Sequence, residues 1–168
     1  YIDACLTSIL AQDHSGPVQL ILVANGCSDD TAAHARAHMP GFAARGWLLR
    51  VEELAQGGKI GALNHGDACA SHGIRIYLDA DIRLSPRLLS GLTRILDVDM
   101  PRYAGGRLVV APARSAVSRA YARFWQKLPF VAQGVTGAGL FAVNAAGRAR
   151  WGAFPQIISD DTFARLQF

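Results

Sequence analysis

The feature that most restricts the fold is a recurring unit: a short unbroken apolar run, a turn, then a helical repeat. Val18 to Val23 is such a run, closed by Asn25-Gly26. An apolar stretch of this length without alternation is the pattern of a strand covered on both faces. Trp47 to Val51 and Ile74 to Leu78 repeat it, Leu140 to Val143 is a shorter instance, and Gly106 to Ala111 reads as one more strand. Helical spacing fills the intervals. Ile2, Leu6, Ile9 and Leu10 share one helix face up to Gln12, before His14-Ser15-Gly16-Pro17 breaks it. A second helix, capped by Ser28, Asp29 or Asp30, runs to His38 and stops before Pro40-Gly41. Others are expected over Ile60 to Ser71, Pro86 to Leu96, Ser115 to Lys127, Ala145 to Trp151 and from Asp160 onward. Strands alternating with helices predict an α/β domain with a mostly parallel sheet and helices on both faces.

Bulk properties narrow the function more than the fold. A chain of 168 residues, 51% apolar and 18% charged, suits one domain with a single core and is not a disordered segment. The net charge of +4 comes from scattered Lys and Arg. It favours anionic ligands such as phosphates, or an acidic membrane surface, and gives no indication of nucleic acid. Cys5, Cys27 and Cys69 lie far apart with no Cys-x-x-Cys spacing. Neither a zinc site nor a disulfide framework is expected from them, and a reducing compartment is the natural setting. No apolar run approaches the ~18 residues that span a bilayer, and no signal-peptide pattern opens the chain. Tyr1 and Phe168 both fall inside helical patterns, so the sequence reads as one domain truncated at both ends.

Four segments carry candidate chemistry. In Tyr77-Leu78-Asp79-Ala80-Asp81 an apolar strand ends in two carboxylates. In an extended chain, alternate side chains share a face. Two carboxylates about 4 Å apart repel by about 4 kcal/mol at an effective dielectric of 20, which a hard cation such as Mg²⁺ or Mn²⁺ would relieve. The other reading is a turn with one Asp capping the next helix. Asn25-Gly26-Cys27-Ser28-Asp29-Asp30-Thr31 offers polar groups for a base or ribose, or simply a turn and a helix cap. Gly57-Gly58-Lys59 brings a flexible backbone and a cation to a helix start without P-loop spacing. Ser159-Asp160-Asp161 supplies either helix-start charge or a general base. Thr136-Gly137-Ala138-Gly139 precedes a strand and lacks the dinucleotide fingerprint. His34 and His38, four apart on a helix, read as a solvated face rather than a metal pair, and no Gly-x-Ser-x-Gly elbow places a nucleophilic serine.

In this order the segments resemble the family 2 glycosyltransferases of GT-A fold, over nearly the whole chain. The resemblance implies a nucleotide-sugar-binding half over 1–104 and an acceptor-binding half over 105–168. Asp79-Ala80-Asp81 is similar to the family's metal-binding Asp-x-Asp. That implies Asp81 as direct metal ligand, Asp79 nearer the ribose or uracil, and Mg²⁺ or Mn²⁺ as cofactor. Ala24-Asn25-Gly26-Cys27-Ser28-Asp29-Asp30-Thr31 resembles the base-contacting loop, with Asn25 in place of an acid. Gly58-Lys59-Ile60-Gly61-Ala62-Leu63-Asn64 resembles the Gly-Lys-x-x-Ala-Leu-Asn element, which puts Lys59 and Asn64 by the donor. Gly137-Ala138-Gly139 and Asp160-Asp161 resemble the acceptor-side Gly-x-Gly and Glu-Asp elements, making Asp161 the catalytic base and Asp160 a shorter substitute for Glu. The family's first strand would lie before Tyr1, leaving the sheet without a central strand, and the Gln-x-x-Arg-Trp element of processive members would lie after Phe168.

The implied reaction is inverting, metal-dependent transfer of a sugar, in the manner of a hexosyltransferase, from a UDP- or GDP-sugar to a hydroxyl of a glycan, lipid or polysaccharide. Cell-envelope polysaccharide synthesis in the cytoplasm, at the cytoplasmic face of a membrane reached through regions outside this chain, is part of the same implication. Two other functions share these features: a sugar-phosphate nucleotidyltransferase, and a non-catalytic nucleotide- or glycan-binding domain. Arg119, Arg123, Phe124 and Trp125 form either an acceptor or headgroup surface or, more simply, a half-buried helix with solvated arginines.

Overall fold

The computed structural model describes residues 1–110, 115, 117, 120, 121, 124, 135 and 137–168. Helix α1 (Ile2–Leu10) buries Cys5, Leu6 and Ile9 on the stripe its spacing predicts. Strand β1 (Gln19–Asn25) follows, then α2 (Thr31–Ala37). α2 stops before Pro40-Gly41 as expected, with His38 as its C-cap, but a further short helix that the sequence did not suggest, α3 (Met39–Ala44), follows at once. Pro40 stands in the first turn of α3, where its missing N–H costs nothing. Strand β2 (Leu48–Leu54) and helix α4 (Lys59–Cys69) come next, then β3 (Arg75–Leu78) and α5 (Leu88–Leu96).

The strand expected over Gly106 to Ala111 is instead the short β4 (Tyr103–Ala104). Residues 106–110 have no regular structure, and Ala111 lies outside the described residues. The pairing decides this: Tyr103 and Ala104 lie opposite Val143 and Ala142, and a glycine pair follows at once. Strand β5 (Leu140–Val143), α6 (Ala145–Arg148) and α7 (Asp160–Arg165) complete the order. Most of the expected helix Ser115 to Lys127, with Arg119, Arg123 and Trp125, lies outside the described residues, as does Thr136.

The α/β class holds, with two sheets. β1 and β2 run parallel in register from Gln19 opposite Leu48 to Asn25 opposite Leu54. β3, β5 and β4 form a second sheet in that order, with β5 antiparallel to both neighbours. The sheet is therefore less parallel than the alternation suggested, because β5 returns against β3 rather than through a right-handed crossover. β1 and β3 each have an edge without a ladder partner among the described strands, and both line one cleft of about 940 Å³.

Side-chain bonds lock the helices around this cleft. Buried Gln12 donates to the Ser85 carbonyl at 2.8 Å and accepts from the Leu89 N–H at 2.9 Å, tying α1 to α5. Arg45 donates to the carbonyls of Leu10, Gln12 and His14 while its guanidinium lies 3.8 Å over the Trp47 ring. His34 and His38, left as a solvated face by their spacing, both pair with Asp3 across α1 and α2, at 3.1 and 3.0 Å.

Candidate functional site

At the carboxyl ends of β1 and β3 the cleft changes character. Its walls below are apolar, from Leu20, Ile76, Leu84, Leu89 and Leu96, and its rim is polar, from Asn25, Lys59 and Asp79. Ligands of open α/β sheets bind at this end of the strands. Lys59 and Asp79 also line a second, smaller cavity of about 160 Å³ with Tyr77, Gly137, Gly139, Asp160 and Asp161. The two cavities thus meet at one ion-paired wall.

Lys59 opens α4 behind Gly58, so its side chain stands at the helix start. Its Nζ lies 3.0 Å from Asp79 Oδ1 and 3.1 Å from Asp160 Oδ1. Burial works to lower the lysine pKa, but the bonds and charges of the two carboxylates outweigh it, and the net effect is a raised value. Asp160 is the most enclosed member, 3% exposed at the first position of α7. Such a charge needs a partner, and Lys59 is it.

The backbone sets the rest. The Asp79 N–H donates to the Gly139 carbonyl at 2.9 Å, continuing the β3–β5 ladder one step past Leu78 and holding the carboxylate at the sheet end. Gly137 has φ +72°, and a Cβ there would sit 2.6 Å from the Tyr103 hydroxyl oxygen and 2.9 Å from Asp161 Cβ. Only glycine lets this loop pass between them. Asp161 accepts from the Thr162 N–H at 2.7 Å. The Tyr103 hydroxyl is buried without a hydrogen-bond partner among the described residues. Burial, and after it the charge of Asp161, pushes its pKa up, so the hydroxyl keeps its proton.

Other residues singled out in the sequence fall elsewhere. Asp79 and Asp81 do not alternate along an extended strand: β3 ends at Leu78, and the Ile82 N–H bonds the Asp79 carbonyl at 3.2 Å to close a turn. Asp81 is exposed and lines neither cavity. After burial, its charge is the second cause pushing the Cys5 thiol up to about 11. Asn64 uses its whole amide on Phe154, accepting from its N–H at 2.7 Å and donating to its carbonyl at 3.1 Å. In the Asn25–Thr31 loop it is Asp29 that bonds the Thr31 N–H, at 3.1 Å.

Two features escaped the sequence reading. Asp67 is a nearly buried carboxylate accepting from the Tyr77 hydroxyl at 2.9 Å and from Arg148 Nε at 3.0 Å, which ties α4, β3 and α6 together behind the site. No local motif marks it, since its partners are 10 and 81 residues away. The second is a group of metal-ligand side chains, Glu52, His65 and Cys69, whose donor atoms lie within 4.8 Å of one another. The spacing of cysteines to each other hid it, whereas His65 and Cys69 are four apart on one helix, a visible signal. Among the described residues, no helix is long and apolar enough to cross a membrane.

The rim therefore holds carboxylates from a strand end and a helix start around one lysine, beside a small cavity of about 160 Å³. It can bind a phosphate or a cation and move a proton. No curated protein and no solved structure gives a match to the chain. The sequence model described as "Glycosyl transferase family 2" matches residues 1–150. That span contains the β1 and β3 rims and Lys59 and ends short of Asp160 and Asp161, and on its strength the chain belongs to glycosyl transferase family 2 and its activity is glycosyl transfer.

Proposed function

We propose that the chain transfers a hexose with inversion from a nucleotide-diphosphate sugar to a hydroxyl acceptor, across the wall shared by the two cavities. The observation that carries this reading is Lys59 bridging Asp79 and Asp160 at 3.0 and 3.1 Å, which joins the Asp-x-Asp turn to the Asp160-Asp161 helix start. Asn25, Lys59 and Asp79 form the donor rim, with Asn25 toward the base. Asp161, beside Gly137 and Gly139, is the general base: it takes the proton of the acceptor hydroxyl as that oxygen attacks the anomeric carbon. Asp160 holds Lys59 in place, and Lys59 offsets the negative charge of the leaving diphosphate.

The side chains here are compatible with Mg²⁺ or Mn²⁺, because Asp79, Asp160 and the nearby Asp81 are hard oxygen donors and a cation already sits between two of them as Lys59. Asp79 and Asp81 would hold the ion, which when bound stabilises the departing diphosphate. The donor is a UDP- or GDP-sugar and the acceptor a glycan, lipid or polysaccharide hydroxyl, with any membrane contact made by regions outside this chain.

The test is thermal stability of the chain with UDP and GDP, with and without Mn²⁺, for the unaltered protein and for Asp79→Ala and Asp81→Ala. Stabilisation that needs both nucleotide and metal, and is lost in the variants, is expected and identifies the base. Stabilisation by either nucleotide that is unchanged in both variants would remove these aspartates from the donor site. Release of pyrophosphate rather than nucleoside diphosphate on turnover would replace transfer with nucleotidyl chemistry.

A further inference from the structure

Glu52, His65 and Cys69 lie outside the rim just described. Glu52 projects from β2, and His65 and Cys69 from one face of α4. Ala62, Leu63 and Gly66 of that helix line the large cleft instead. All three ligand-type residues are partly buried.

Their geometry separates two uses of such a trio. In a nucleophilic relay the acid bonds one ring nitrogen of the histidine and the thiol bonds the other, so that a proton can cross the ring. Here both groups face the same nitrogen: His65 Nε2 lies 2.9 Å from Glu52 Oε2 and 3.7 Å from Cys69 Sγ. One nitrogen carries at most one proton and cannot serve both neighbours in a relay. An imidazole nitrogen, a carboxylate oxygen and a sulfur converging on one point is the arrangement of ligands around a metal ion.

We infer that Glu52, His65 and Cys69 form a binding site for a zinc-class divalent ion. The mixed nitrogen, sulfur and oxygen set matches zinc ligand chemistry and disfavours Mg²⁺, which takes oxygen alone. On binding, His65 enters neutral and the Cys69 thiol gives its proton to solvent as the metal–sulfur bond forms. The partly exposed face leaves a fourth position to water. Arg50 Nε holds the other carboxylate oxygen, Glu52 Oε1, at 2.5 Å, turning Oε2 toward the histidine. The Arg50 charge beside the ligands opposes the incoming ion, so the affinity is moderate rather than that of a closed four-ligand site. The ion clips β2 to α4, the helix whose first residue is Lys59.

The experiment is a titration of the reduced, full 168-residue chain with Co²⁺, a spectroscopic stand-in for zinc, followed by absorbance. A sulfur-to-cobalt charge-transfer band saturating at one equivalent, displaced by Zn²⁺, is the expected result. The band is lost in Cys69→Ser, weakened in His65→Gln, and kept in Cys27→Ser and Asp79→Asn. No band on the unaltered chain at millimolar Co²⁺ overturns the assignment, as does its persistence in Cys69→Ser or its loss in Cys27→Ser, which removes the exposed thiol. The unaltered chain and Cys27→Ser decide the question even if the Cys69 variant does not fold.

Discussion

The two faces of the second sheet are built from different chemistry. On β5, Leu140 and Ala142 face a mainly aliphatic core with Leu6, Ile9, Leu92 and Leu96, while Phe141 and Val143 face a second core with Trp151 and Phe154. β3 divides in the same way, with Ile76 and Leu78 on the first side and Tyr77 on the second. Period-two alternation makes this division possible. Tyr77 and Phe141 stack at 4.6 Å between centroids, and Tyr103 stacks on Phe141 at 5.7 Å.

The difference is one of polar tips. Aliphatic side chains only fill space. Tyr77 fills space and also anchors Asp67, Tyr103 fills space and presents a hydroxyl toward Asp161, and Phe154 is held through its backbone by Asn64. The smaller cavity, with Asp160 and Asp161, stands over the aromatic face, while the other face carries the helices α1 and α5 and walls the large cleft. The acids of the site thus depend on the aromatic side.

The sharpest test falls on the acid beside Tyr103. Asp161→Asn is expected to lower transfer by about 10²–10⁴-fold, the usual contribution of a general base, while nucleotide binding stays unchanged. Normal turnover would end its assignment.

Next in size is the anchor behind the site. Asp67→Ala leaves Arg148 and Tyr77 facing each other without their carboxylate, and breaking a buried charge pair costs about 3–5 kcal/mol. For a domain of this length that is a fall in Tm of roughly 6–20 °C. A fall of a degree or less would show that the aromatic face does not depend on its polar tips.

Smaller again is Asn64→Ala, which strands the N–H and carbonyl of Phe154 and costs about 1–3 kcal/mol. A lower Tm with unchanged nucleotide affinity marks Asn64 as a positioning residue, whereas lost affinity at an unchanged Tm would return it to the donor site. The smallest effect belongs to pH. Because Lys59 has a raised pKa in the fold, its pairing with Asp79 and Asp160 is fully present below the ordinary lysine value of 10.5 and is lost as pH climbs through the raised value. Tm measured on the alkaline side should fall less steeply in Lys59→Met, and identical slopes would mean that the bridge contributes nothing to stability.

Much of the scaffold was legible because it is local. The α1 stripe, β1, β3 and β5 follow from runs and spacings within ten residues, and the rim residues Lys59, Asp79 and Asp160 stand where turn and helix-start patterns put them. The errors share a cause. The extended geometry assumed for Asp79 to Asp81 failed because the chain turns directly after the strand ends at Leu78, a matter of which backbone groups find partners on β5. The strand expected at Gly106 moved to Tyr103 for the same reason.

From the sequence alone came the α/β class, the order of the elements, and the residue types at the strand ends, all of which depend on neighbours a few positions apart. Only the tertiary structure decided that Lys59 bridges Asp79 and Asp160, which lie far apart along the chain, and that Asp81 lines neither cavity. It alone joined Asp67 to Arg148 and Glu52 to His65 and Cys69. These are contacts between surfaces brought together by burial of the two cores, and no pattern along the chain encodes a distance across the fold.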